Sequence, residues 1–120
     1  MAEEISLTFG GSVTNGLLKH AVAPITRKFD QTTARAGTIS QDVGTTEEVV
    51  SFGDGVPGYV IATNMDATNY VRLRFTSGGT NAIRLNANGG VAMFFIEPGT
   101  TLYAIANTAA CRVKFDWFNS

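Results

Sequence analysis

A period of two runs through the second half of this chain. In Tyr70-Val71-Arg72-Leu73-Arg74-Phe75 the apolar Val71, Leu73 and Phe75 share one face, and Arg72 and Arg74 share the other. Arg112-Val113-Lys114-Phe115-Asp116-Trp117 repeats the arrangement. Successive side chains of a strand point to opposite faces, so each segment reads as an antiparallel strand with one face in a core and the other in water. Phe115 and Trp117 have the parity of Val113 and are expected inside. Tyr103 and Phe118 have the opposite parity to their apolar strand neighbours and are expected at exposed contacts.

The same signal, punctuated by turns, predicts strands at Tyr59–Thr63, Tyr70–Phe75, Ala82–Leu85, Val91–Ile96, Leu102–Ala106 and Arg112–Phe118. Glu97-Pro98-Gly99-Thr100 places Pro and Gly where a type II turn needs them. Val91 to Ile96 is apolar on both faces, which predicts a central strand buried on both sides or covered by a neighbouring subunit. Nearer the N-terminus, Ile5-Ser6-Leu7-Thr8-Phe9 alternates and is expected to end at Gly10-Gly11, and Asn15-Gly16 is a turn signal. Leu17 to Val22 fits a short helix or a strand, and Pro24 disfavours helix at Ala23. Ile25 to Ser40 reads as one or two extended strands at a sheet edge or in an arm, and Val49 to Phe52 as a further strand. Short strands separated by frequent turns predict an all-β fold, an antiparallel β-sandwich of jelly-roll type with about eight strands. The length predicts one domain over 1–120, with room for an extended N-terminal arm within residues 1–40.

Composition narrows the function. Charged residues make up 16% and the formal net charge is −1, which argues against a strongly basic nucleic-acid binder. Residues 1–60 hold four cations and seven anions, whereas residues 61–120 hold five cations and three anions. Cys111 is the sole cysteine, so no intrachain disulfide forms, and a small buried hydrophobe is its expected role. No apolar run approaches the ~20 residues of a membrane helix. Met1-Ala2-Glu3-Glu4 lacks the apolar segment of a signal peptide, so synthesis and folding in a cytoplasm are expected.

Chemistry finds no foothold. The carboxylates fall mostly in turns and at the N-terminus, where solvated turn residues and caps are their ordinary role. Asn64-Met65-Asp66-Ala67-Thr68-Asn69 supplies oxygens in a short loop, but Asx turns closing a hairpin explain it better than a Ca²⁺ site. His20 has apolar neighbours and no relay partner, and one His with one Cys does not make a zinc site. The expectation is a non-enzyme without catalytic residues, metal or cofactor. The polar set that stands out is Arg72, Arg74, Arg84, Arg112 and Lys114. It is either a guard against wrong strand pairing or a one-sign face that steers an anionic partner.

Several phrases carry a resemblance. Lys28-Phe29-Asp30-Gln31-Thr32, Gly53-Asp54-Gly55-Val56-Pro57-Gly58-Tyr59, Asn64-Met65-Asp66-Ala67-Thr68-Asn69-Tyr70-Val71 and Glu97-Pro98-Gly99-Thr100-Thr101-Leu102-Tyr103-Ala104 are the main ones. With Val43-Gly44-Thr45-Thr46-Glu47-Glu48, the chain from about Phe29 onward resembles small all-β virion structural proteins of tailed bacteriophages, of the capsid decoration or cement type. The resemblance implies a protein of the outer capsid surface that clamps neighbouring major capsid proteins as a homotrimer. Major capsid protein and further copies of the chain are then its partners, with no membrane or direct nucleic-acid contact. A tail, baseplate or fibre component is the alternative in the same class, and a carbohydrate-recognition module that contacts a host glycan is the alternative from another. For partner binding the expected residues are Ile5, Leu7, Phe9 and Phe29 as a strand-adding segment, guided by Arg72, Arg74, Arg84, Arg112 and Lys114. For subunit contact they are Met93, Phe94, Phe95 and Tyr103.

Overall fold

The computed structural model describes residues 3–120, and strands are its only regular elements. In chain order they are β1 (Ile5–Asn15), β2 (Leu18–Phe29), β3 (Ala36–Val43), β4 (Glu48–Val49), β5 (Pro57–Asn64), β6 (Val71–Arg74), β7 (Ile83–Leu85), β8 (Val91–Phe95), β9 (Tyr103–Ala106) and β10 (Cys111–Asn119). All pairings are antiparallel. No helix of the described residues is long and apolar enough to cross a membrane. Two compact units divide the chain, one ending at Thr32 and one running Thr33–Ser120.

The larger unit contains two four-stranded sheets, of order β3-β10-β5-β8 and β4-β9-β6-β7. The pairing is nested: β6 pairs β7, β5 pairs β8, β4 pairs β9 and β3 pairs β10. The chain from 36 to 119 is thus one long antiparallel hairpin folded over on itself. Alternation decides which side of each sheet is dry. Val60, Ala62, Val113, Phe115 and Trp117 from the first sheet and Val71, Leu73, Leu85, Ala104 and Ala106 from the second form one buried cluster. Side chains of this size each stabilise by about 1.5–3 kcal/mol when fully buried, alanine by less.

Two local devices shape this core. Gly37 and Gly55 flank the Trp117 indole, and a Cβ at either position would lie 2.7 Å and 2.6 Å from ring carbons respectively. Only a residue without a side chain lets backbone come so close to the ring. Asn64 is the buried polar hub. Its Nδ2 donates to the carbonyls of Asn69 and Leu85 at 2.9 and 3.1 Å, and its Oδ1 accepts the Asp66 N–H at 2.9 Å. Asp66 in turn accepts the N–H groups of Thr68 and Asn69. The Asn64–Asn69 loop is therefore a set of Asx turns closing β5 toward β6. The Glu97–Thr100 turn forms as expected, with Gly99 at φ 90° and Thr100 N–H donating to the Glu97 carbonyl.

The smaller unit is a two-stranded ribbon. Gly16 (φ 58°) and Leu17 turn the chain between the paired Asn15 and Leu18. That geometry has Gly at the first central position, as a type II′ hairpin requires. Opposite Gly10 the register shifts, and β2 carries the extra residue at Ala23-Pro24. Pro24 cannot donate to a ladder, and a strand with one neighbour tolerates it. Ile5 and Leu7 are buried, Phe9 and Phe29 half-buried, and every residue from Gly10 to Lys28 is exposed.

Three expectations are corrected here. The strand count is ten rather than about eight, because the ribbon adds two strands. β1 does not stop at Gly10-Gly11 but passes them into the Asn15-Gly16 turn, and the ambiguous Leu17–Val22 segment pairs as strand from Leu18 on. β8 is also not a central strand. It has β5 as its single neighbour and lies at the edge of its sheet. Apolar residues on both faces of a strand report two apolar environments, and do not say whether its second edge is paired.

Candidate functional site

The outer face of the β5–β8 pair is apolar where a solvated sheet face is normally polar. Val60 and Ala62 point into the core, so their register partners Phe94 and Ala92 do as well. Tyr59, Ile61 and Thr63 therefore point outward, beside Phe95, Met93 and Val91. Val91 is 62% and Phe95 56% exposed. The Tyr59 and Phe95 rings meet edge to face with centroids 5.0 Å apart. Phe118, opposite Tyr59 on β10, extends the patch. Apolar side chains next to an unpaired strand edge make a surface competent for strand addition, with backbone groups giving affinity and side chains giving fit.

The expected interface residues divide on this geometry. Met93 and Phe95 belong to the patch. Phe94 packs inward against the core and meets Phe75 edge to face at 6.2 Å. Tyr103 lies on the other sheet, between Val49 and Arg74. Tyr59, Ile61 and Val91 were not among the expected residues. The signal for them was present, since Tyr59-Val60-Ile61-Ala62 is apolar on both faces just as Val91–Phe95 is.

The five strand cations do not form one face. Arg72, Arg74 and Arg84 lie on the outer side of the β4-β9-β6-β7 sheet, and Arg112 and Lys114 on that of the other sheet. Three have carboxylates within reach. Arg74 pairs with Glu47 at 2.9 Å, Arg112 with Asp42 at 2.9 Å, and Lys114 lies 3.7 Å from Asp116. The two exposed pairs add little, since water and salt screen them. Glu47 is better held: it also accepts from the Ser77 hydroxyl and the Gly78 N–H. Those two bonds, and then Arg74, keep its carboxyl below the usual range. Arg72 and Arg84 instead share the ring of Tyr70.

Elsewhere, Cys111 is buried at the start of β10, and burial first, then the Asp66 charge, pushes its thiol up. Such a thiol is a poor nucleophile. Among the described residues no three His, Cys, Asp or Glu side chains cluster in a way that could hold a metal. An open groove of about 210 Å³ runs between Val49, Phe52, Val56, Pro57 and Leu102, with no charged residue in its lining.

No protein-family model matches this chain, and no curated protein does. A solved structure that does match comes from work on Bacillus endospore appendages, described as a novel family of disulfide-linked pili. It is 17% identical, with a TM-score of 0.45, over 73% of this chain and 88% of its own. The capsid-decoration function expected from the resemblance is corrected at this point, together with its tail and glycan-binding alternatives. The match found is a bacterial appendage protein rather than a phage capsid protein. At this TM-score the match lends the chain no fold family and no function.

Proposed function

We propose that this chain is a non-enzymatic structural subunit that assembles with copies of itself, and that its larger unit is a jelly-roll β-sandwich. The nested strand pairing, and a core drawn from the facing sides of both sheets, support the second part. The single observation that carries the first is the unpaired β8 edge with Val91, Met93 and Phe95 on its open face.

The ribbon of another copy is the occupant that fits. From Gly10 to Lys28 the hairpin has water on both faces, and two strands so placed are marginal by themselves and gain most from a third. Val13, Val22 and Ile25 are exposed on it. Residues 5–29 carry Lys19, Arg27 and Lys28 and no acid, whereas residues 33–120 hold six cations and seven anions. The ribbon strands themselves are thus cationic, while Glu3, Glu4 and Asp30 bring residues 1–32 to a net charge of zero. Cys111 is 1% exposed, so the contact is strand pairing and apolar packing, not a disulfide.

Sedimentation of the full chain across a concentration series tests this. Self-association is expected, with Phe95→Glu and Val22→Glu each weakening it and leaving the circular dichroism spectrum unchanged. A wild-type chain that stays monomeric throughout, or variants that associate as it does, would overturn the proposal.

A further inference from the structure

From the outer face of the second sheet we infer an oxyanion site, built by Arg72 and Arg84 over Tyr70 and fitted to a tetrahedral dianion such as sulfate or phosphate. Arg72 on β6 and Arg84 on β7 are register partners, so two guanidinium groups stand directly opposite each other on one face. Like charges in that position destabilise a sheet. The other cross-strand neighbour of Arg72 is Ile105, so no carboxylate faces it from either side. Neither arginine takes part in an ion pair among the described residues, in contrast to the other three strand cations.

Both are nonetheless held in place. The Arg84 guanidinium carbon lies 3.6 Å from the Tyr70 ring centroid and that of Arg72 lies 5.6 Å from it. Stacking on an aromatic face fixes a guanidinium plane while leaving its edge N–H groups to donate. Arg84 Nε is further tied to Asn86 Oδ1 at 2.9 Å. Arg72 Nε is buried with no hydrogen-bond partner. A buried polar atom without a partner marks a place where a charge is left to be satisfied. Two fixed guanidinium forks on one ring, with no acid beside them, match the charge and oxygen count of a dianion better than those of a single carboxylate. The dianion can come free or as a phosphate ester, and the site recognises the group common to both.

The test is a titration of the full chain with sodium sulfate, sodium phosphate and phenyl phosphate at constant ionic strength. The side-chain Nε–H resonances of the arginines are followed by NMR. Saturable shifts are expected at Arg72 and Arg84, with Arg74 and Arg112 unmoved. Arg84→Gln changes an exposed side chain, and its unfolding midpoint serves as the check on folding. It should weaken binding about tenfold or more, as expected for the loss of one charge-assisted fork, while Arg112→Gln should bind as wild type. Binding of phenyl phosphate extends the site to esters, and binding of the inorganic ions alone restricts it to free anions. Unsaturable shifts at all arginines, a smaller loss in Arg84→Gln, or an equal loss in Arg112→Gln would overturn the site.

Discussion

β10 and β2 are both regular antiparallel strands, yet they stand on different physical footings. Along β10 every second residue from Cys111 to Asn119 is buried, and Val113 and Phe115 are completely so. Along β2 eleven of twelve residues are exposed, and the twelfth is half-buried. β10 has a ladder on each edge, to β3 and to β5, and β2 has one, to β1. A ladder in water contributes little net, because the unfolded chain makes the same bonds to solvent. What holds β10 is the apolar area on one face, and β2 from Leu18 to Lys28 has no such face of its own. A strand can therefore be formed without being secured, and the difference marks which part of this molecule has structure to spare for a partner.

The sharpest way to break this comparison is to remove buried area from each side of it. Phe115→Ala empties a fully buried position and should cost about 3–5 kcal/mol, read as a fall in the urea midpoint. Val22→Ala, at an exposed ribbon position, should stay within about 0.5 kcal/mol at concentrations where the chain is unassembled. If Val22→Ala cost as much as Phe115→Ala, the ribbon would be as secured as the core and the distinction would fail. Hydrogen exchange gives the same contrast without mutation: β10 amides should be protected to the level of global unfolding, and those of β2 far less, until copies assemble.

A smaller loss comes from adding atoms. Gly55→Ala would place a methyl 2.6 Å from a Trp117 ring carbon, forcing the indole or the loop to move. The expected cost is about 1–3 kcal/mol with a changed near-ultraviolet spectrum, since the tryptophan is the reporter. The control is Gly11→Ala in β1, where a Cβ meets nothing within 4 Å. It should leave that spectrum untouched.

These cases also show what the chain made legible. The strands of the larger unit were readable because burial imposes parity: Val71 and Leu73, or Val113, Phe115 and Trp117, could not swap faces without emptying the core. The same logic failed where both faces are apolar. Val91–Phe95 gave no sign of being an edge, since edge status depends on which strand pairs next, a fact of topology rather than of pattern. In the ribbon, Gly10-Gly11 read as the end of a strand, and Pro24 as a bar to helix at Ala23. The structure passes both in one register shift, because an unpaired outer edge tolerates a missing N–H. As for the cations, alternation placed them outward correctly but not on which sheet. Arg112 and Arg72 have the same parity relative to their cores and still face away from opposite sides of the larger unit. Tyr70 shares the parity of Arg72, which was the available sign that an aromatic seat lay beside it.

The smallest expected effect concerns pH, and it too separates the two regions. Glu47, whose side chain is 18% exposed, is held below its usual carboxyl range by the Ser77 hydroxyl, the Gly78 N–H and Arg74. It joins the approach to β4 with the loop after β6, inside the larger unit. A carboxyl whose folded pKa is depressed adds stability that is fully present above its unfolded value, near 4.5, and is lost as pH falls through the folded value. The gap in unfolding midpoint between wild type and Glu47→Gln should therefore be widest near neutrality and should close in acid. Asp66, lowered by the Asn69 and Thr68 N–H groups, titrates in both proteins and cancels from the difference. β1 and β2 contain no acidic residue, so acid should loosen the larger unit while leaving exchange from the ribbon strands governed by assembly alone. A gap that stayed constant into acid would mean that Glu47 acts through its hydrogen-bond geometry, which Gln partly keeps, and not through its charge.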